Sequence, residues 1–192
     1  MCRLARVLAT IAFLAAAANE LAAGESHVSL VPWKVIGSGE VVDSPLVLFW
    51  IPATTEELRR SELLESEELT LFSSRCVAMR VVRFDDRARL AKLDVGANVP
   101  MVVLAERDGT IRGRIVSEGG EVPLYAVEEL VRDELSRREG EAEALLDRAR
   151  ELSAEQEVAA AAAIYDEVWE QRCVCPRQGK DARRALKKLG RK

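Results

Sequence analysis

The run "PLVLFWI", Pro45 to Ile51, carries no polar side chain, and it is followed at once by Pro52 and the acidic stretch "ATTEEL". An apolar run this short and unbroken reads as a β-strand covered on both faces, so the chain must supply cover for each side of a sheet. The rest of the sequence alternates in a way that can do so. Residues 54–75, "TTEELRRSELLESEELTLFSSR", space their leucines as one helix, and "CVAMRVVRF" is a β-branched strand that opens at Cys76. A short helical piece, "DRARLAKLD", leads to "NVPMVVLAERDGTIRGRIVSEGG", in which Asp108 and Gly109 lie between a pair of alternating runs, the strongest short signal for a β-hairpin. The segment "YAVEELVRDELSRREGEAEALLDRAREL" is again helical. The order β, α, β, α, β, β, α predicts an α/β fold with a central mixed sheet flanked by helices.

At 192 residues, with 48% hydrophobic and 31% charged side chains, the chain has the composition of one folded domain with extensions. Its net charge of -4 argues against a nucleic-acid partner, which needs a basic face. The C-terminal "KDARRALKKLGRK" is basic, and its simplest reading is a helix end or a solvated tail. At the other terminus Arg3 and Arg6 precede the apolar run Val7 to Ala18 and then small residues, the order of a secretory signal peptide over residues 1–23. That run is too short to span a bilayer, which takes about 20 residues, so no stable membrane span is expected after cleavage. The expected location is extracytoplasmic, periplasmic or secreted. Cys2 lies ahead of the apolar run, the wrong side for a lipoprotein cysteine. Residues 24–44 form a spacer in which "SLVPWKVI" suggests a short strand at the sheet edge, and His27 there reads as solvated or a local cap.

Three segments resemble the thioredoxin-like superfamily over residues 45–138: "VLFWIP", similar to the strand entering its active loop, "VAMRVVRFDD", similar to the next strand, and "NVPMVVLAERDGTIRGRIV", similar to its cis-proline strand and hairpin. The resemblance implies a cis peptide at Pro100, beside the active loop. It also implies that the chemistry is missing. Aligned on the family motif, Thr54 stands at the nucleophilic cysteine, Glu57 at the resolving cysteine, Ala53 at the loop tryptophan and Leu48 at the buried acid. Thr54 and Glu57 instead have the spacing of a capping box, in which each side chain bonds the other residue's backbone N–H. What the resemblance then implies is a non-catalytic binding module that takes a protein or peptide partner in a groove formed by Trp50, Val99, Pro100 and Met101, although Trp50 and Met101 each read first as core or rim packing.

The other reading is a thiol-disulfide oxidoreductase using non-standard cysteines, Cys173 and Cys175 of "RCVCP", or Cys76. Cys76 reads first as a buried small hydrophobe. The Cys173 and Cys175 pair could close a disulfide or hold a soft metal, with Met101 as a third ligand, but a structural zinc site normally needs four ligands. No metal or other cofactor is therefore expected. An odd cysteine in an oxidising compartment also leaves one thiol over. Residues 139–192 form a helical extension with a break near Ser153, and this arm resembles a single tetratricopeptide unit through Ala149, Leu152, Ala161 and Tyr165, although Pro176 comes later than that family's closing proline. "GSGE" near Gly37 lacks the spacing of a dinucleotide loop, and the pairs Glu56 with Glu57 and Asp85 with Asp86 read as solvated surface.

Overall fold

A computed structural model describes residues 29–96, 99–117 and 119–191. The expected signal peptide, Cys2 and His27 lie outside the described residues. At the centre is a five-stranded mixed sheet in the order β1-β3-β2-β4-β5, built from β1 (Lys34–Val35), β2 (Leu46–Ile51), β3 (Val77–Val81), β4 (Met101–Glu106) and β5 (Ile111–Val116). Strand β3 runs parallel to β1 and β2, whereas β4 runs antiparallel to both β2 and β5. The short β1 is the edge strand expected from "SLVPWKVI".

Strand β2 is buried at all six positions, as its unbroken apolar run requires. Alternate residues enter two separate cores. Leu46, Leu48 and Trp50 pack with Val102, Leu104 and the helical residues Val127 and Val131 on one side. Val47, Phe49 and Ile51 pack with Met101, Val103 and Leu93 on the other. The hairpin turns where Asp108 and Gly109 predict, with Gly109 at φ +91° and the Asp108 carboxylate accepting from the Thr110 N–H at 2.9 Å.

The single helix expected over residues 54–75 is three pieces: α1 (Thr55–Arg60), a 3-10 turn (Glu62–Leu64) and α2 (Glu67–Ser73). Serines cause the breaks. Ser61 Oγ accepts from Leu63 N–H and Ser66 Oγ from Leu69 N–H, so each restarts the chain as an N-cap, a role that competes with helix continuation. Helix α3 (Arg87–Lys92) follows β3, and its Arg89 donates to the Gly37 and Glu40 carbonyls, which fastens the N-terminal spacer.

The last three helices are α4 (Leu124–Ala154), α5 (Val158–Glu170) and α6 (Pro176–Lys188). Helix α4 has 31 residues and passes the expected boundary at 138/139 without interruption, lying against the sheet with Val127 and Val131 and against α5 with Ala149 and Leu152. The expected break near Ser153 falls between α4 and α5. Ala149, Leu152, Ala161 and Tyr165 are all buried, as are Leu146, Ala162 and Val168 of the same two helices. Gly179 lets α6 close on the preceding turn, because a Cβ there would stand 2.7 Å from Arg172 Cα.

Candidate functional site

Strand register brings the two halves of the candidate site together. Ile51, the last residue of β2, pairs with Met101, the first of β4. The Val99-Pro100 peptide, which is cis, therefore lies beside Pro52 and Ala53 at the entrance to α1.

Thr54 caps α1, its Oγ1 accepting from the Glu57 N–H at 3.1 Å. The return half of the capping box differs from expectation. Glu57 Oε2 accepts from the Ala53 N–H at 2.8 Å, one residue earlier than Thr54, and Oε1 faces the Trp50 Nε1–H at 3.4 Å. The reason is Trp50 itself, which is fully buried, packs on Trp33 with ring centroids 5.4 Å apart, and needs an acceptor for its indole N–H. The Glu57 carboxylate supplies one. Burial pushes the Glu57 carboxyl above its ordinary value, helped by the charge of Glu121 and opposed by the bonds from Ala53 and Trp50. The Glu57 carboxylate is thus committed to hydrogen bonds that hold the entrance of α1 against the core.

The groove expected from Trp50, Val99, Pro100 and Met101 is not formed by all four. Trp50 is 0% and Met101 4% exposed, because an unbroken apolar strand has both of its faces covered and Met101 points into the second core. Pro100 is buried and Val99 half-buried. The surface depression nearest the capped helix instead has a volume of about 470 Å³ and is walled by α1 and the 3-10 turn on one side and Gly120, Glu121 and Val122 on the other. Glu56, Glu57, Glu62 and Glu121 face it against a single cation, Arg60, which itself pairs with Glu56 at 2.6 Å. Sequence spacing marks Glu57 as a cap and Glu56 as surface, and it gives no signal at Glu121. The approach of Glu121 to Glu57 depends on the turn after β5, where Gly119 and Gly120 both have positive φ.

The cysteines are arranged differently from either sequence reading. Cys76, expected as a buried hydrophobe, is joined by a disulfide to Cys173, 97 residues away, with Cα atoms 5.8 Å apart. Cys175, the expected partner of Cys173, is a free and fully buried thiol, and burial pushes its pKa up. Both disulfide residues are half-buried. Arg75, next to Cys76, strengthens the same join by donating to the Val174 carbonyl from Nε at 3.2 Å and from Nη2 at 2.6 Å, and it also pairs with Glu139 of α4. Among the described residues no group of three or more His, Cys, Asp or Glu side chains is placed to hold a metal ion.

No family model matches the chain, and no curated protein matches it.

The Glu57 contacts yield a pH-dependent prediction. A carboxyl whose pKa is raised by folding favours the folded state most in its protonated form, and that contribution is lost as pH rises through the folded pKa. Glu57→Gln retains one acceptor oxygen of two and is expected to cost about 0.5–1 kcal/mol near neutrality, whereas Glu57→Leu leaves two donors without a partner and costs about 2 kcal/mol. Urea titrations at several pH values test both points. Wild type should gain on Glu57→Gln as pH falls toward the ordinary carboxyl value of 4.5, and parallel pH curves would remove Glu57 as the titrating group.

Proposed function

We propose that this chain is an exported, non-catalytic thioredoxin-like protein that binds an extended, basic peptide segment in the depression beside α1, with α4 and α5 forming a tetratricopeptide-like arm behind it. The fold assignment is supported by the strand order β1-β3-β2-β4-β5, in which β4 alone runs against the sense of the other strands, together with the cis Val99-Pro100 peptide before β4. One observation carries the functional reading. The loop that the register sets beside Pro100 has its Thr54 and Glu57 side chains spent on backbone and indole hydrogen bonds, so the locus offers shape and charge and no nucleophile. Its four glutamates against one arginine favour a ligand with Lys or Arg. The half-buried disulfide suits an extracytoplasmic, oxidising location.

The test uses fluorescent extended peptides of equal length, one Lys-rich and one Glu-rich. The Lys-rich peptide should bind, and the double substitution Glu56→Lys with Glu121→Lys should weaken it about tenfold or more, equivalent to at least 1.4 kcal/mol. Binding that ignores the double substitution would remove this groove as the site. The oxidoreductase reading now centres on Cys76 and Cys173. It would replace the binding reading if the chain accelerated reduction of insulin disulfides and Cys76→Ser abolished that rate.

A further inference from the structure

The charge of this molecule is divided along the chain. Residues 172–192 hold nine Lys and Arg against one Asp, while residues 1–171 hold 31 acidic side chains against 19 basic ones. The fold gathers that positive charge on one helix. Arg177, Lys180, Arg184, Lys187 and Lys188 are all exposed, and their helical spacing sets them in one stripe along α6, with the exposed Arg191 just beyond its end. At 1.5 Å per residue the stripe is about 17 Å long. Gln178, Gly179, Ala182 and Leu186 are buried on the opposite side, where α6 meets α5 and α4. Arg184 pairs with Asp181 and Arg191 with Asp166, whereas Arg177, Lys180, Lys187 and Lys188 have no ion pair among the described residues.

We propose that this stripe docks the protein on an anionic phospholipid surface. The stripe belongs to one helix already seated on two others, so its outer face can lie against a plane with these five cations in reach. Clusters of four to eight Lys and Arg on such a helix attract anionic headgroups. A nucleic acid is the poorer match. Single strands are gripped by basic grooves with aromatic stacking platforms, and Trp169, the aromatic side chain flanking the stripe, already carries Arg172 and Arg183 against its ring, at 4.6 and 5.0 Å from the centroid. The acidic remainder of the chain is repelled by the same anionic surface, which favours contact through α6 over contact through the acidic depression beside α1. This inference is independent of what that depression binds.

Full-length chain is sedimented with vesicles of phosphatidylcholine alone or with 30% phosphatidylglycerol, chosen as the test composition. The comparison protein is the same chain carrying Arg177→Gln, Lys180→Gln, Lys187→Gln and Lys188→Gln. The apolar N-terminal run is common to both, so the difference between them reports α6. Wild type should bind the anionic vesicles in preference to the neutral ones, lose that preference in high salt, and outbind the fourfold variant by about 600-fold, since each of the four cations near the surface is worth about fivefold. An unchanged thermal melt shows that the variant is folded. Equal binding by the two folded proteins, or no preference for anionic vesicles, overturns the proposal. Tighter, stripe-dependent binding to duplex DNA or to polyglutamate at the same salt overturns it in favour of a nucleic acid or an acidic protein.

Discussion

Cys76→Ser and Cys173→Ser should each lower the melting temperature by on the order of 10 °C, and reduction of the wild-type chain should produce the same fall. The disulfide closes a loop of 97 residues, and removing a cross-link of that span frees enough unfolded-chain entropy to cost about 4–5 kcal/mol. In a chain of this size each kcal/mol moves the melting temperature by about 2–4 °C. The loss should be felt most at the C-terminal arm, because the disulfide and the Arg75 bonds to Val174 tie the α5–α6 connection to the start of β3. Cys175 supplies the control. It is buried and unbonded, so it should resist alkylation until the protein unfolds, and Cys175→Ala, which removes no cross-link, should lower the melt far less than either serine variant. Melting temperatures for Cys76→Ser and Cys173→Ser that match wild type would show that the arm is held by packing alone.

That pairing is the feature least legible in the sequence, and the reason is distance along the chain. Cys173 and Cys175 are neighbours in sequence, which invites a local reading, whereas contact between Cys76 and Cys173 depends on how α4 and α5 fold back on the sheet. Features with a local cause are read directly. The buried strand β2, the Asp108-Gly109 turn and the Thr54 cap each follow from a few adjacent residues. The broken helix over residues 54–75 shows a local signal hidden by a periodic one, since Ser61 and Ser66 lie within a convincing leucine pattern. At the candidate site the difficulty is the lack of a pattern. An unbroken apolar strand has no period to say which residues face outward, and so the sequence leaves Trp50 and Met101 between core packing and groove lining; both are core. Glu121 has no signal at all, because only the glycine turn before it brings its charge toward Glu57.

A second large effect is expected at Glu134, which the sequence offers only as one more acid in a highly charged helix. It is 7% exposed. Its carboxylate accepts from Arg137 at 2.8 and 2.9 Å and from Arg138 Nε at 2.7 Å, and Arg138 reaches on to Glu106 at the end of β4, which also pairs with Arg112 of β5. The cluster therefore fastens α4 to the hairpin. Burial pushes the Glu134 carboxyl up, but the bonds and charges of Arg137 and Arg138 outweigh it and hold the pKa below its ordinary value. Glu134→Leu leaves these guanidiniums without their shared acceptor, and since Arg138 is largely buried whereas Arg137 is half-exposed, a cost of about 3 kcal/mol is expected, at the low end for a broken buried pair. The pH dependence has the opposite sign to that of Glu57. A lowered carboxyl pKa contributes stability that is present above the unfolded value, near 4.5, and lost as pH falls through the folded one. Wild type should accordingly lose its advantage over Glu134→Gln below about pH 4.5, whereas its gain on Glu57→Gln builds above that value as pH falls toward it, so the two changes occupy adjoining halves of one acidic range. Urea titrations of both variants across that range separate the two carboxylates: Glu134 acts as a stabilising ion-pair partner only if its curve and that of Glu57 diverge in opposite directions.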